Sequence, residues 1–150
     1  MNVRPVYERD EDISRQAMVA LVLETKWGLS LLPMAKLSGV DFLAHKRGTT
    51  IFKLIEIKCR TNGSKRYPTL ILSKLKTDLA SQAAMTLGME FILVVQWLDG
   101  VFYRQITPGD LAITAIDHEA GRRDRGDSHD VESCYAFNVE TFRRIADAQS

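Results

Sequence analysis

Residues Phe91-Ile92-Leu93-Val94-Val95 form an unbroken apolar run of branched and aromatic side chains, bounded by Gly88 and by Asp99-Gly100. Such a run is too short for a buried helix and lacks the polar alternation of a strand with one wet face. It marks a central strand covered on both sides, which a chain can build only with layers above and below a sheet. Val101 to Ile106 is expected to pair back along it through the Asp99-Gly100 turn.

Candidates for those layers flank the run. From about Glu8 to Trp27, the residues Ile13, Ala17, Ala20, Leu21, Glu24 and Trp27 recur at helical spacing, after an acidic start suited to a helix N-terminus. Gly28 is the expected stop. Leu72 to Leu87 reads as a second helix with Ser73 as N-cap and Gly88 as terminator. Its recurring face is Leu75, Leu79, Gln82/Ala83 and Thr86/Leu87. Between the helices lie three strand-like segments. Leu29 to Leu37 is irregular at Pro33, and Val40–Lys46 and Thr50–Arg60 flank a turn at Lys46-Arg47-Gly48-Thr49. Thr61-Asn62-Gly63-Ser64 and Tyr67-Pro68 read as loop. Asp117–Ser133 is expected to be an exposed, mobile charged loop, Cys134–Val139 a last strand and Glu140–Ala148 a closing helix. The order predicts one α/β (α+β) domain over residues 1–150, a mixed sheet flanked by helices with a C-terminal strand and helix appended.

Composition narrows the function. The 150 residues are 45% hydrophobic and 26% charged with a net charge of +1, so any affinity for nucleic acid must come from local clustering of cations. Cys59 and Cys134 form no CxxC pair, which leaves zinc-ribbon and dithiol chemistry without support. The N-terminus does not resemble a signal peptide, and the longest apolar run is too short to span a bilayer, so a cytoplasmic location and no membrane partner are expected.

The chemistry lies in the hairpin. Residues two apart on a strand share a face, so Glu56 and Lys58 point one way and Ile57 the other. A two- or four-residue loop gives paired positions an odd sum, which sets Asp41 opposite Leu54 or Glu56. Asp41, Glu56 and Lys58 then share a face, whereas an odd-length loop would send Asp41 to the other side. Adjacent carboxylates repel unless a cation neutralises them. Hard oxygen ligands from Asp41 and Glu56, with the Ile57 carbonyl, suit Mg²⁺ (or Mn²⁺), beside which Lys58 can orient a water and stabilise developing charge. Glu24, on the first helix, is a candidate to hold a metal-bound water or second ion.

Asp41, the hairpin, Glu56-Ile57-Lys58 and a preceding helix bearing Glu24 together resemble the PD-(D/E)xK nuclease superfamily. The likeness is greatest to its smaller members, such as archaeal Holliday junction resolvases and restriction-endonuclease-like phage nucleases. The resemblance covers about residues 8–98 and implies a restriction-endonuclease-like αβββαβ core. It also implies Asp41 and Glu56 as metal ligands, Lys58 as the catalytic lysine and Glu24 as the helix-borne acid. Gly39-Val40 stand where many relatives carry a proline before the aspartate. Gln82 matches a glutamine some relatives carry on the next helix, but Thr86 stands in place of their tyrosine.

From Lys58 to Lys76 the cations Lys58, Arg60, Lys65, Arg66, Lys74 and Lys76 occur with no acidic residue between them. With Gln82, these five beyond Lys58 are the expected nucleic-acid contacts. The expectation is a metal-dependent endonuclease acting on DNA, structure-specific cutting of junctions or flaps included, with RNA not separated from DNA by these residues. A non-catalytic nucleic-acid-binding or regulatory protein on the same fold is the alternative, and an adaptor without nucleic-acid affinity ranks last. Related folds also suggest a two-fold homodimer.

Overall fold

In the computed structural model, the described residues are 10–34, 40–121 and 131–147. Strands β1 (Leu29–Pro33), β2 (Phe42–Lys46), β3 (Phe52–Cys59), β5 (Glu90–Trp97), β6 (Gly100–Ile106) and β9 (Arg143–Asp147) form one sheet in the order β1-β2-β3-β5-β6-β9. Only the β3–β5 pairing is parallel, so the sheet is mixed. Strands β4 (Thr69–Ser73), β7 (Ala115–Gly121) and β8 (Val131–Asn138) form a second, antiparallel sheet in the order β4-β8-β7.

The central run behaves as its composition requires. Phe91 to Val95 are all buried, with alternate residues going to two separate cores. Ile92 and Val94 join Ile55, Ile57 and helix α1 (Asp10–Trp27), which contributes Val19, Ala20 and Leu23. Phe91, Leu93, Val95 and Trp97 face helix α2 (Lys74–Leu87) and the second sheet, packing with Leu54, Leu72, Ala84 and Phe137. A strand buried on both faces is thus the shared wall of two cores.

The expected inward face is met in part on α1, where Ala20 is buried and Trp27 packs on the core, and not on α2. On α1, Ala17 and Leu21 are exposed, and Val19, Ala20 and Leu23 are buried. Met18 to Leu23 is apolar throughout, so two overlapping stripes compete and packing selects one. On α2 the buried residues are the small Thr77, Ala80, Ser81 and Ala84, which let the helix lie close to the sheet. The leucine stripe stays in water, with Leu75 at 65%, Leu79 at 52% and Leu87 at 60% exposure. The caps agree with the sequence: the Ser73 side chain accepts from the Lys76 N–H, and Gly88 takes the left-handed conformation at φ 68°.

Three expectations need correction. Thr69–Ser73 is strand β4, so the second helix begins at Lys74 rather than Leu72. Leu70 and Leu72 are buried and Ile71 exposed, a period of two too short to stand out beside Pro68. The ends of the expected 117–133 loop are strand, since β7 and β8 pair across it; residues 122–130 lie outside the described residues. The closing helix over 140–148 is instead a 3₁₀ turn at Val139–Thr141 followed by edge strand β9. Phe142 anchors that strand, buried edge-on against Trp97 at 5.5 Å. A short helix α3 (Pro108–Ile113), closed by a Thr107–Asp110 capping box, was not anticipated.

Candidate active site

The turn between β2 and β3 has four residues, 47–50, with Lys46 N–H donating to Ile51 C=O. Phe42 pairs with Ile55 and Leu43 with Leu54, an odd sum throughout, so the register places Asp41 opposite Glu56. β2 ends there, but its hydrogen bonding does not. The Asp41 N–H donates to Ile55 C=O at 3.1 Å, and the Asp41 carboxylate accepts from the Ile57 N–H at 2.6 Å. A side chain thus replaces the backbone carbonyl that Ile57 would otherwise lack, which orients the carboxylate without a dedicated scaffold.

Glu56 is buried at 6% exposure on the α2 side of the sheet, and Lys58, on the same face, reaches back to place its Nζ 3.1 Å from Glu56 Oε1. A buried carboxylate needs such a counter-charge. Arg60, just past the strand, adds to the field. Burial, the larger influence, holds its guanidinium below the ordinary value, while Cys59 and Glu56 pull it up. An arginine remains charged throughout.

Glu24 is not brought to this place. Its backbone carbonyl accepts from the Arg47 guanidinium at 2.9 Å, which puts it beside the hairpin turn, on the order of 20 Å along the strands from Asp41. α1 also packs on the Ile57 face of the sheet, opposite to Glu56. The part of α1 near the end of β3 is its N-terminal half, where Arg15 shares a cleft with Arg60. No group of three or more metal-ligating side chains forms among the described residues.

The other expected contacts disperse. Lys65 and Arg66 are exposed in the loop after β3, with Arg66 over the Tyr67 ring at 5.0 Å. Lys74 is committed to Asp78 at 2.6 Å, and Lys76 is half-buried with partners of its own. Gln82 projects into solvent from the outer face of α2.

Two features went unread in the sequence. Asp99 staples the basic loop to the β5–β6 turn: the Ser64 N–H and Oγ donate to its two carboxylate oxygens at 2.8 and 2.5 Å. Desolvation pushes the Asp99 carboxyl up, but the Ser64 bonds and Arg144 outweigh it and leave it below the usual range. The aspartate reads only as a turn former beside Gly100, so its longer-range partner leaves no signal. Second, Tyr135 on β8 donates to Asp78 on α2, tying that helix to the second sheet; burial, then Asp78, holds the phenol above its ordinary value.

The family model described as phage putative PDDEXK endonuclease matches residues 2–145. No curated protein matches the chain. Among solved structures, the chain is similar to Hjc, a Holliday junction resolvase from the archaeal hyperthermophile Archaeoglobus fulgidus. The two share 16% identity and a TM-score of 0.56, over 88% of this chain and 90% of that one. At that identity the likeness speaks to the fold, a mixed sheet flanked by helices as expected.

Proposed function

Because the chain belongs to the phage putative PDDEXK endonuclease family, we propose that it is a divalent-metal-dependent endonuclease of DNA whose site is Asp41, Glu56 and Lys58. The observation that carries this reading is the pairing of a backbone-oriented Asp41 with the buried Glu56–Lys58 pair across one hairpin. Two carboxylates with the Ile57 carbonyl near them fit Mg²⁺ or Mn²⁺, which takes few protein ligands and keeps several waters. When bound, such an ion lowers the pKa of a coordinated water and neutralises charge on the phosphate under attack.

The chain's own residues do the rest. Asp41 is held by the Ile57 N–H, which fixes its carboxylate at the hairpin beside β3. Lys58, a third exposed, reaches both Glu56 and the solvent from which a substrate arrives. Its ammonium can orient the attacking water and oppose charge growing on phosphate oxygens. Lys65 and Arg66 extend the positive surface along the loop beyond it. Four-way and flapped DNA are the first substrates to offer, since the similar solved protein is a Holliday junction resolvase.

A two-fold dimer suits such substrates, and the exposed stripe on α2 supports it. Run antiparallel to a copy of itself, α2 sets Leu75 against the partner's Leu87 and Leu79 against the partner's Ala83, large against small at the centre. A cell interior fits Cys59 and Cys134, both free thiols. Among the described residues no helix is long and apolar enough to cross a membrane.

Supercoiled, single-stranded, flapped and four-way DNA, each incubated with Mg²⁺, Mn²⁺ or EDTA, tests the reading. Metal-dependent cleavage that falls at least about 100-fold in Lys58→Ala is expected, the scale of losing one charge-stabilising donor. A second reading, a non-catalytic DNA binder, draws on the remoteness of Glu24, which leaves two carboxylates together among the described residues. DNA binding equal in both proteins, with no cleavage of any form, would favour it.

A further inference from the structure

At the end of the main sheet where β3 runs out, a cleft of about 340 Å³ opens between α1 and the β5–β6 turn. Arg15 from α1 and Arg60 from the residue after β3 both line it, with Gln96, Leu98, Gly100 and Asp147. Arg60 is fixed there by its backbone, whose N–H donates to Gln96 C=O at 2.8 Å. Its side chain is half-buried yet forms no ion pair among the described residues, and Glu56, whose charge acts on it, is paired with Lys58. A desolvated cation in that position is stabilised by an anion, and planar guanidiniums match phosphate oxygens two at a time.

Gly100 has φ 152°, and a Cβ there would sit 2.6 Å from Ala146 C=O and 2.7 Å from Arg144 Nη1. Leu98, 65% exposed at the turn, offers an apolar shoulder at the mouth. The volume is at the low end for small-ligand sites, room for one sugar-phosphate unit and far too small for a duplex.

We infer that this cleft seats a single backbone phosphate of the bound DNA strand, next to the one cut, gripped by Arg15 and Arg60. The substrate class rests on the nuclease reading, but the binding site does not require turnover. Placed two residues beyond Lys58, such a grip would fix which phosphodiester reaches Asp41 and Glu56.

The test separates the two ideas. Binding of a fluorescent 30-base-pair duplex and of a four-way junction is measured in EDTA over a salt series, for wild type, Arg15→Gln, Arg60→Gln and, as a control, the exposed Arg143→Gln. Each cleft variant should flatten the slope of log affinity against log salt by up to about one, since a single phosphate is gripped, and Arg143→Gln not at all. A DNA with one neutral methylphosphonate linkage, moved stepwise along the strand, should at one position erase the difference between wild type and the cleft variants. Wild-type slopes in both cleft variants, no position with that effect, or no binding of either DNA by the wild type would each overturn the inference. If Arg60→Gln proves unfolded by circular dichroism, Arg15→Gln on the helix surface decides alone. Altered slopes in a protein that cuts nothing would keep the cleft and sink the nuclease; cleavage with unaltered slopes would do the reverse.

Discussion

Asp41 does two jobs with one carboxylate, and they can be separated chemically. One oxygen accepts from the Ile57 N–H at 2.6 Å and completes the hydrogen bonding of β3; the charge serves the proposed metal. In Asp41→Asn the amide oxygen can still accept from Ile57, so only the charged share of that bond is lost. Thermal or denaturant unfolding should register a change of about 1 kcal/mol or less, while cleavage should fall by orders of magnitude. Asp41→Ala should cost more stability than Asp41→Asn, because it leaves the Ile57 N–H without its acceptor. Equal stability of the two variants would show that the bond contributes nothing to the fold. Glu56 and Lys58 divide their work differently: each neutralises the other, so removing the lysine also leaves a buried anion uncompensated.

At the scale of elements, the segment after β3 matters most, because it carries Lys65 and Arg66 away from the site. It is not tethered by secondary structure but by Leu98 N–H to Asn62 C=O at 2.9 Å and by the Asp99–Ser64 bonds. The Asp99 carboxyl titrates below the usual range, so its stabilising effect is complete above the unfolded-state value and disappears as pH falls through the folded-state one. Asp99→Asn should therefore lose about 1 kcal/mol at neutral pH, a figure kept low because the carboxylate is partly open to water. The gap to wild type should close on acidification, as followed by melting temperature between neutral pH and the acid range. A gap that stayed constant would assign the loss to shape rather than charge. The same element shows what a sequence can reveal. The hairpin register, the Ser73 and Gly88 caps and the two-sided central strand are local patterns, readable because period and turn length set them. Which helix face turns inward, where Asp99 finds Ser64, and that β9 is a strand all depend on partners distant in the chain. Glu24 illustrates the gap: it is helical as expected, but only the packing of α1 shows that its end of the helix lies by the hairpin turn.

For the molecule as a whole, a net charge of +1 makes bulk attraction to DNA weak, so the proposed DNA binding must rely on local clusters of cations such as the basic loop. The leucine stripe on α2 is the surface on which the proposed dimer would stand. Leu79→Arg, at its centre, should convert a two-chain species to a single chain in sedimentation velocity, without a loss of melting temperature larger than the dimer itself contributes. A wild type that sediments as one chain at micromolar concentration would remove the dimer while leaving the site intact.

The replacement of a backbone carbonyl by the Asp41 side chain means that one amide proton reports on the candidate site. The Ile57 N–H lies in a strand held on its other side by β5, so its exchange with solvent deuterium tracks the opening of that single carboxylate contact. Any ligand that draws Asp41 away from the strand, or fastens it there, would be read in the isotope uptake of one residue, with no substrate and no turnover needed.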